Sequence, residues 1–309
     1  NNEIIYQDFA PLIYDSGNYD PSMKKALDMI DYETFVKEAQ PALQSEGRYV
    51  GLGIVAYVEG TGIGPYEGAR VQVQASGKVT AVTGVGTQGQ GHLTSFAQIV
   101  ADQLGVDVSD VDIVTGDTDQ FYWGAGTFAS RGAVVAGNAF NEAARDVRAK
   151  ALKMAVDALE AEEEVVELVG GVAREQSDHE RSIGLGELAR RANPMRGAVK
   201  PGTEPGLEAT NYFGPERGAT ANGIHAMIVE VDPETMLVDI KKYVVVHDCG
   251  EVINPMILEG QIQGGVAQGI GNAFYEKLMF DENGQLLNAN ADTIASEIAI
   301  SLSKDYLVD

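Results

Sequence analysis

The sequence predicts an α+β fold with mixed, partly antiparallel sheets, packed helices and two sub-domains. Three observations carry this. Residues 69–85 and 225–250 alternate apolar and polar positions on both sides of a turn, the pattern of hairpins. Residues 139–163 and 254–278 read as long helices. The 309 residues are 44% hydrophobic, enough to bury a core of two-sub-domain size.

The elements follow in order. Residues 21–46 place Met23, Ala26, Leu27, Ile30, Phe35 and Ala39 at amphipathic helical spacing, which suits one or two short helices. RYVGLGIVAYVEG, 48–60, reads as a buried strand, and the hairpin over 69–85 turns at Ser76 and Gly77. A helix is expected over 93–104 from Phe96, Ile99, Val100 and Leu104, then a strand running into a polar loop over 111–119. In the helix over 139–163, Glu142, Arg145, Asp146, Arg148 and Lys150 form a solvated face.

Residues 170–220 are richer in Gly, Pro, Arg and Ser, contain one short helix over 186–191, and read as a connection. The hairpin over 225–250 turns at 232–236, and Pro255 sits near the start of the last helix, where its missing N–H costs little. The expected division is an N-terminal segment over 1–47, a first sub-domain over 48–165, a connection over 166–222 and a second sub-domain over 223–309.

Composition excludes several function classes. A formal net charge of −24 opposes non-specific binding to nucleic-acid phosphates or anionic lipid. No run reaches the roughly 18 apolar residues of a membrane span, and NNEIIYQDF lacks a signal peptide's regions, so a cytoplasmic chain is expected. With Cys249 as the sole cysteine, no internal disulfide or four-thiolate iron–sulfur cluster can form, and any such cluster belongs to a partner. The four histidines, His92, His179, His225 and His247, show no zinc-ligand spacing.

Three segments carry chemistry. GTQGQGHLT, 86–94, joins a strand to a helix; its glycines allow close backbone approach and a helix start favours an anion, although an ordinary turn has the same look. Gln88, Gln90 and Gln261 offer amides that both donate and accept, suited to an anionic metal centre carrying its own ligands. In GAGTFASRGAVVAGNA, 124–139, Ser130 and backbone N–H groups can hold phosphate. There Arg131 can either neutralise that phosphate through a forked contact or pair with an acidic residue of the protein. HDCGEVINP, 247–255, is a second polar corner entering a helix. A metal-independent hydrolase using His247 and Asp248 fails because adjacent strand residues point to opposite faces.

Taken in order, GTQGQGHLTSFAQIVADQLG, GDTDQFYWGAGTFASRG, VEVDPET and VHDCGEVINPMILEGQIQGGVAQGIG resemble the molybdopterin-binding portion of the large subunit of the xanthine dehydrogenase and aldehyde oxidase family, in the bacterial branch that includes aerobic carbon monoxide dehydrogenase. The resemblance covers roughly residues 9–290 and implies a fold of the molybdopterin-binding type. It implies that Gln88, Gln90, Gly91, His92 and Thr94 belong to the loop against the pterin and its phosphates. Thr127, Phe128, Ala129, Ser130 and Arg131 match the segment at the cofactor's far end, usually a cytosine dinucleotide. Asp248 and Cys249 match the corner facing that nucleotide, and Gln261 the glutamine that hydrogen-bonds a molybdenum ligand.

The resemblance also implies hydroxylation of a carbon centre with oxygen from water. The metal is held by the pterin dithiolene, and electrons leave through [2Fe–2S] clusters and FAD on partner subunits. A complementary molybdopterin-binding chain and a small-molecule substrate are further implied partners. The family's G-x-G-E-P/S-P glutamate motif and its first-half motifs do not occur in the 309 residues, and Met236 replaces the glycine common in the VDPET turn. The expectation is therefore a molybdenum-hydroxylase subunit, split or partial, that is inactive alone; the alternative is a non-catalytic cofactor-handling or interaction protein.

Overall fold

A computed structural model describes residues 5–7, 10–196, 204–276 and 280–285. The chain forms two compact units, Asn1–Asn254 and Pro255–Asp309. Among the described residues, no helix is long and apolar enough to cross a membrane.

The first unit opens with a short pair, β1 (Ile5–Gln7) and β2 (Ala10–Leu12), then α1 (Tyr19–Ile30) and α2 (Tyr32–Thr34). A π-helical turn over Phe35–Ala39 joins α2 to α3 (Gln40–Ser45). Pro41 in α3 has no N–H to return to the Lys37 carbonyl, which is where an α-helical ladder would be interrupted. These helices bury Ile30 and Phe35 against Val50, Ala226, Ile228 and Val244 of an antiparallel sheet. That sheet has the order β12 (Val238–Asp248), β11 (Ala219–Val231), β3 (Tyr49–Thr61).

The larger core lies under α4 (His92–Leu104) and α5 (Asn138–Leu159). Both pack on a four-stranded sheet ordered β10 (Glu208–Phe213), β4 (Glu67–Val73), β5 (Val79–Thr83), β6 (Val111–Thr115). Phe96, Val100, Leu104, Phe140, Ala143, Val147 and Ala151 meet Ala69, Val71, Val79 and Ala81 there. The alanine face of α5 allows the helix to approach the sheet closely, and larger side chains fill the α4 side. A meander of β7 (Val166–Val169), β8 (Val172–Glu175) and β9 (Asp178–Gly184) precedes α6 (Leu185–Arg191), whose Leu185 and Leu188 join the same core. The second unit contains α7 (Pro255–Phe274).

The fold is α+β, with antiparallel sheets and one parallel pair, as the hairpin and helix patterns predict. β3 pairs with β11 along its whole length, and β10 pairs with β4, so the supposed connection over 166–222 supplies strands to both large sheets. Pairing between strands distant in sequence leaves no local pattern to read. The 48–60 segment does form a strand, but an edge strand with Tyr49 61% and Val55 63% exposed instead of a buried one. A short apolar run has the same composition in either place.

Candidate cofactor-binding site

β5 and β6 run parallel, so their C-terminal ends lie at the same end of the sheet, and each releases a glycine-rich segment there. Ligands of open α/β sheets bind at this kind of edge. One segment, 84–91, leads from β5 into α4; the other, 116–131, leads from β6 to the π-helical turn Gly132–Gly137 before α5. Their backbones touch: a Cβ on Gly84 would lie 1.8 Å from Trp123 O, and one on Gly124 would lie 2.0 Å from Gly84 O. Only glycine at both positions permits this approach. Thr127 Oγ1 then donates to Gly86 O at 2.7 Å, so the two segments form one surface.

Within the first segment, Gln88 N donates to Gln90 Oε1 at 2.7 Å and Gln90 Nε2 to Gln88 Oε1 at 3.3 Å. The two amides brace each other at the loop tip. Gly91, at φ 74°, is the N-cap of α4 and no side chain fills the cap, so the first-turn N–H groups keep their positive field. Thr94 is exposed in that turn.

His92 turns inward instead. It is 6% exposed, its ring stacks on Phe96 at 4.8 Å, and a Cβ on Gly132 would meet its Nε2 at 2.7 Å. Burial pushes its pKa down and favours the neutral imidazole, and its Nδ1 finds no partner among the described residues. The ring therefore wedges α4 against the π-helical turn, so within the expected cofactor loop His92 offers its backbone to the surface while its side chain packs inside.

The second segment is shaped by strain and burial. Ala129 and Ser130 have φ of 47° and 50°. Left-handed backbone costs about 1–2 kcal/mol per non-glycine residue, and it persists where surrounding contacts over-determine it. Ser130 Oγ donates to Glu59 Oε1 at 2.7 Å. Arg131 is 1% exposed; its guanidinium pairs with Glu67, bonds the carbonyls of Ile63, Pro65 and Gly126, and lies 4.9 Å from the centre of the Phe128 ring. Of the two readings open for Arg131, a forked phosphate contact and a pairing with an acidic residue, the structure shows the guanidinium in the internal pair with Glu67. Phe128 is itself 48% exposed.

The corner after β12 reaches the same region. Asp248 accepts from Asn222 Nδ2 at 3.4 Å and from Gly250 N at 3.0 Å, while His247 Nδ1 meets Tyr57 OH at 3.2 Å. His247 and Asp248 thus serve opposite faces, as alternation requires. Cys249 is exposed, with its thiol pKa pushed up by partial burial and by the Asp248 carboxylate. Asn254 Nδ2 donates to Gln98 Oε1 at 2.8 Å, tying the end of this corner to α4. Gln261 lies on α7 in the second unit, a helix with no buried residue.

Sequence reading missed Glu59 and Glu67, which hold Ser130 and Arg131. A glutamate opening an apolar strand, as in EGARVQV, was the only trace of the second. Among the described residues, no group of three or more His, Cys, Asp or Glu side chains is placed to ligate a metal ion. Uncapped helix N–H groups, paired amides and close-packed glycines instead suit a large anion that brings its own metal ligands.

The family described as molybdopterin cofactor-binding domain matches residues 25–296. The large subunit of nicotine 6-hydroxylase from Paenarthrobacter nicotinovorans is 36% identical over 89% of this chain and 35% of its own length. The carbon monoxide dehydrogenase large chain of Afipia carboxidovorans is 34% identical over 96% of this chain and 38% of its own. Among solved structures, CO dehydrogenase from Oligotropha carboxidovorans superposes with a TM-score of 0.81 at 34% identity, over 91% of this chain and 36% of that one. Quinoline 2-oxidoreductase from Pseudomonas putida 86 gives 0.79 at 35% identity, over 90% and 36%. The chain thus spans little more than a third of the length of these relatives. It belongs to the molybdopterin cofactor-binding domain family, and corresponds to part of the molybdenum-binding large subunit of the xanthine dehydrogenase family.

Proposed function

We propose that this chain is a molybdopterin-binding portion of a molybdenum hydroxylase, competent only with a complementary molybdopterin-binding segment and redox partner subunits. The observation that carries the reading is the joining of 84–91 to 123–131 at the C-terminal ends of β5 and β6, made possible by the Gly84–Gly124 backbone approach. That joint places the α4 N-terminus, the Gln88–Gln90 pair and the 127–130 backbone, with left-handed Ala129 and Ser130, on one surface. Each supplies neutral donors to a phosphate-bearing ligand.

The group itself would supply oxidation of a carbon centre using oxygen from water. On this reading it is molybdenum–molybdopterin cytosine dinucleotide. Gln88, Gln90 and the Gly91–Thr94 backbone hold its pterin and phosphates, Thr127–Ser130 contact its far end, Asp248 and Cys249 face the nucleotide, and Gln261 hydrogen-bonds a molybdenum ligand. [2Fe–2S] clusters and FAD reside on partner subunits, and the substrate is a small molecule.

The test is elemental and nucleotide analysis of the native assembly, purified without dissociation, together with identification of its co-purifying chains. The expected result is molybdenum and cytidine monophosphate released in near-equal amounts to the chain, with an iron–sulfur partner. An intact, folded assembly that lacks both molybdenum and nucleotide would overturn the reading.

A further inference from the structure

Glu67, the first residue of β4, and Arg131 form an ion pair with both side chains 1% exposed. Desolvation offsets much of the attraction in such a pair, so stability alone is a poor reason for it. Its other contacts supply a better one. Glu67 accepts from Ala125 N at 3.1 Å and Gly126 N at 3.3 Å, while Arg131 donates from Nε to Ile63 O at 3.1 Å, from Nη1 to Gly126 O at 2.7 Å, and from Nη2 to Pro65 O. Beyond the pair itself, every one of these bonds ends on backbone, either in the 63–65 turn or at 125–126, directly before Thr127.

We propose that Glu67 and Arg131 are positioning residues for the molybdopterin nucleotide, an inference that rests on the cofactor reading above. Together they fix the backbone at Ala125 and Gly126, so that 127–130, including left-handed Ala129 and Ser130, is formed before the ligand arrives. Preorganisation of this kind strengthens binding by removing the ordering cost of a glycine-rich segment. It also explains why the guanidinium is turned away from the surface: its charge is neutralised inside, and the segment meets phosphate through neutral donors.

The decisive variant is Glu67→Leu with Arg131→Met, made in the full assembly. Apolar replacement of both partners of a buried pair is commonly tolerated by the fold. It nevertheless removes the acceptor for two N–H groups and the donors for three carbonyls. The expected result is an assembled protein with a cooperative melt at a lowered midpoint, because five backbone groups lose their partners, and at least a tenfold loss of released cytidine nucleotide; wild-type nucleotide content would overturn the proposal. Glu67→Gln, which keeps one acceptor oxygen, should retain an intermediate amount. The swap Glu67→Arg with Arg131→Glu restores the ion pair but sets donors against N–H groups, so recovery of nucleotide by the swap would also overturn the proposal.

Should these variants fail to assemble, amide exchange in the wild-type protein decides the matter. The Ala125 and Gly126 amides should exchange at least a hundredfold more slowly than the Gly89 amide of the neighbouring loop, and equal rates would refute the clamp. A wild-type assembly without pterin nucleotide would instead remove the cofactor reading, a failure distinct from that of the clamp.

Discussion

Replacing Gly84 by alanine tests the joint on which the site depends. The new Cβ would sit 1.8 Å from Trp123 O, whereas such contacts stay beyond 3.0 Å, so the two backbones must part by about 1.2 Å. The Thr127–Gly86 bond of 2.7 Å would then stretch to about 3.9 Å and be lost. Overpacking of this kind costs about 1–3 kcal/mol and the hydrogen bond about 1 kcal/mol, so destabilisation of about 2–4 kcal/mol is expected. Gly86→Ala is the matched control: its Cβ meets nothing within 4 Å and its φ is not left-handed, so a change within about 0.5 kcal/mol is expected. Urea unfolding with a shared slope would read both, and released nucleotide from the native assembly would read the site. If Gly84→Ala unfolds with Gly86→Ala and keeps its nucleotide, the close approach does not shape the site.

Other consequences are as direct. Met236, exposed and at φ 60° in the β11–β12 turn, should stabilise the protein by about 0.5–1 kcal/mol when changed to glycine, read as a raised urea midpoint; an unchanged or lower midpoint would refute the strain there. Phe96→Ala removes a buried ring between His92 and Phe140 and should cost about 3–5 kcal/mol. It should also let the His92 pKa climb back toward its ordinary value, as followed by the NMR shift of that imidazole. Burial lowers the pKa of His92, His225 and His247; His247 adds to the effect at His225, while Asp248 and Glu59 partly oppose it at His247. With the folded values below the unfolded value of about 6.5, the unfolded chain binds protons first. Stability should therefore fall as pH drops through 6.5 and level off below the folded values, and a thermal midpoint flat between pH 7 and 5 would contradict this.

Much of the site was legible because its chemistry is local. A glycine-spaced run between a strand and a helix fixes a loop type: the run read over 86–94 leads from β5 into α4, and the run read over 124–139 lies between β6 and α5. The side chains were harder. His92 and Arg131 have the chemistry of ligand-binding groups, but a ring or guanidinium can turn inward as readily as outward, and its direction depends on partners far along the chain. Phe96 and Gly132 capture the first, Glu67 the second.

By itself the sequence determined the α+β class, the two hairpins with their turns, the long helices and the family, because periodicity, turn chemistry and ordered motifs are written in neighbouring residues. Tertiary structure alone decided that β3 and β10 join strands distant in sequence, and that the first compact unit runs to Asn254. It also decided that Glu67 and Arg131 are spent inside the protein shaping the segment before Thr127. The physical reason is common to all of these: burial and long-range pairing are properties of two surfaces brought together, and neither surface alone records which partner it will meet.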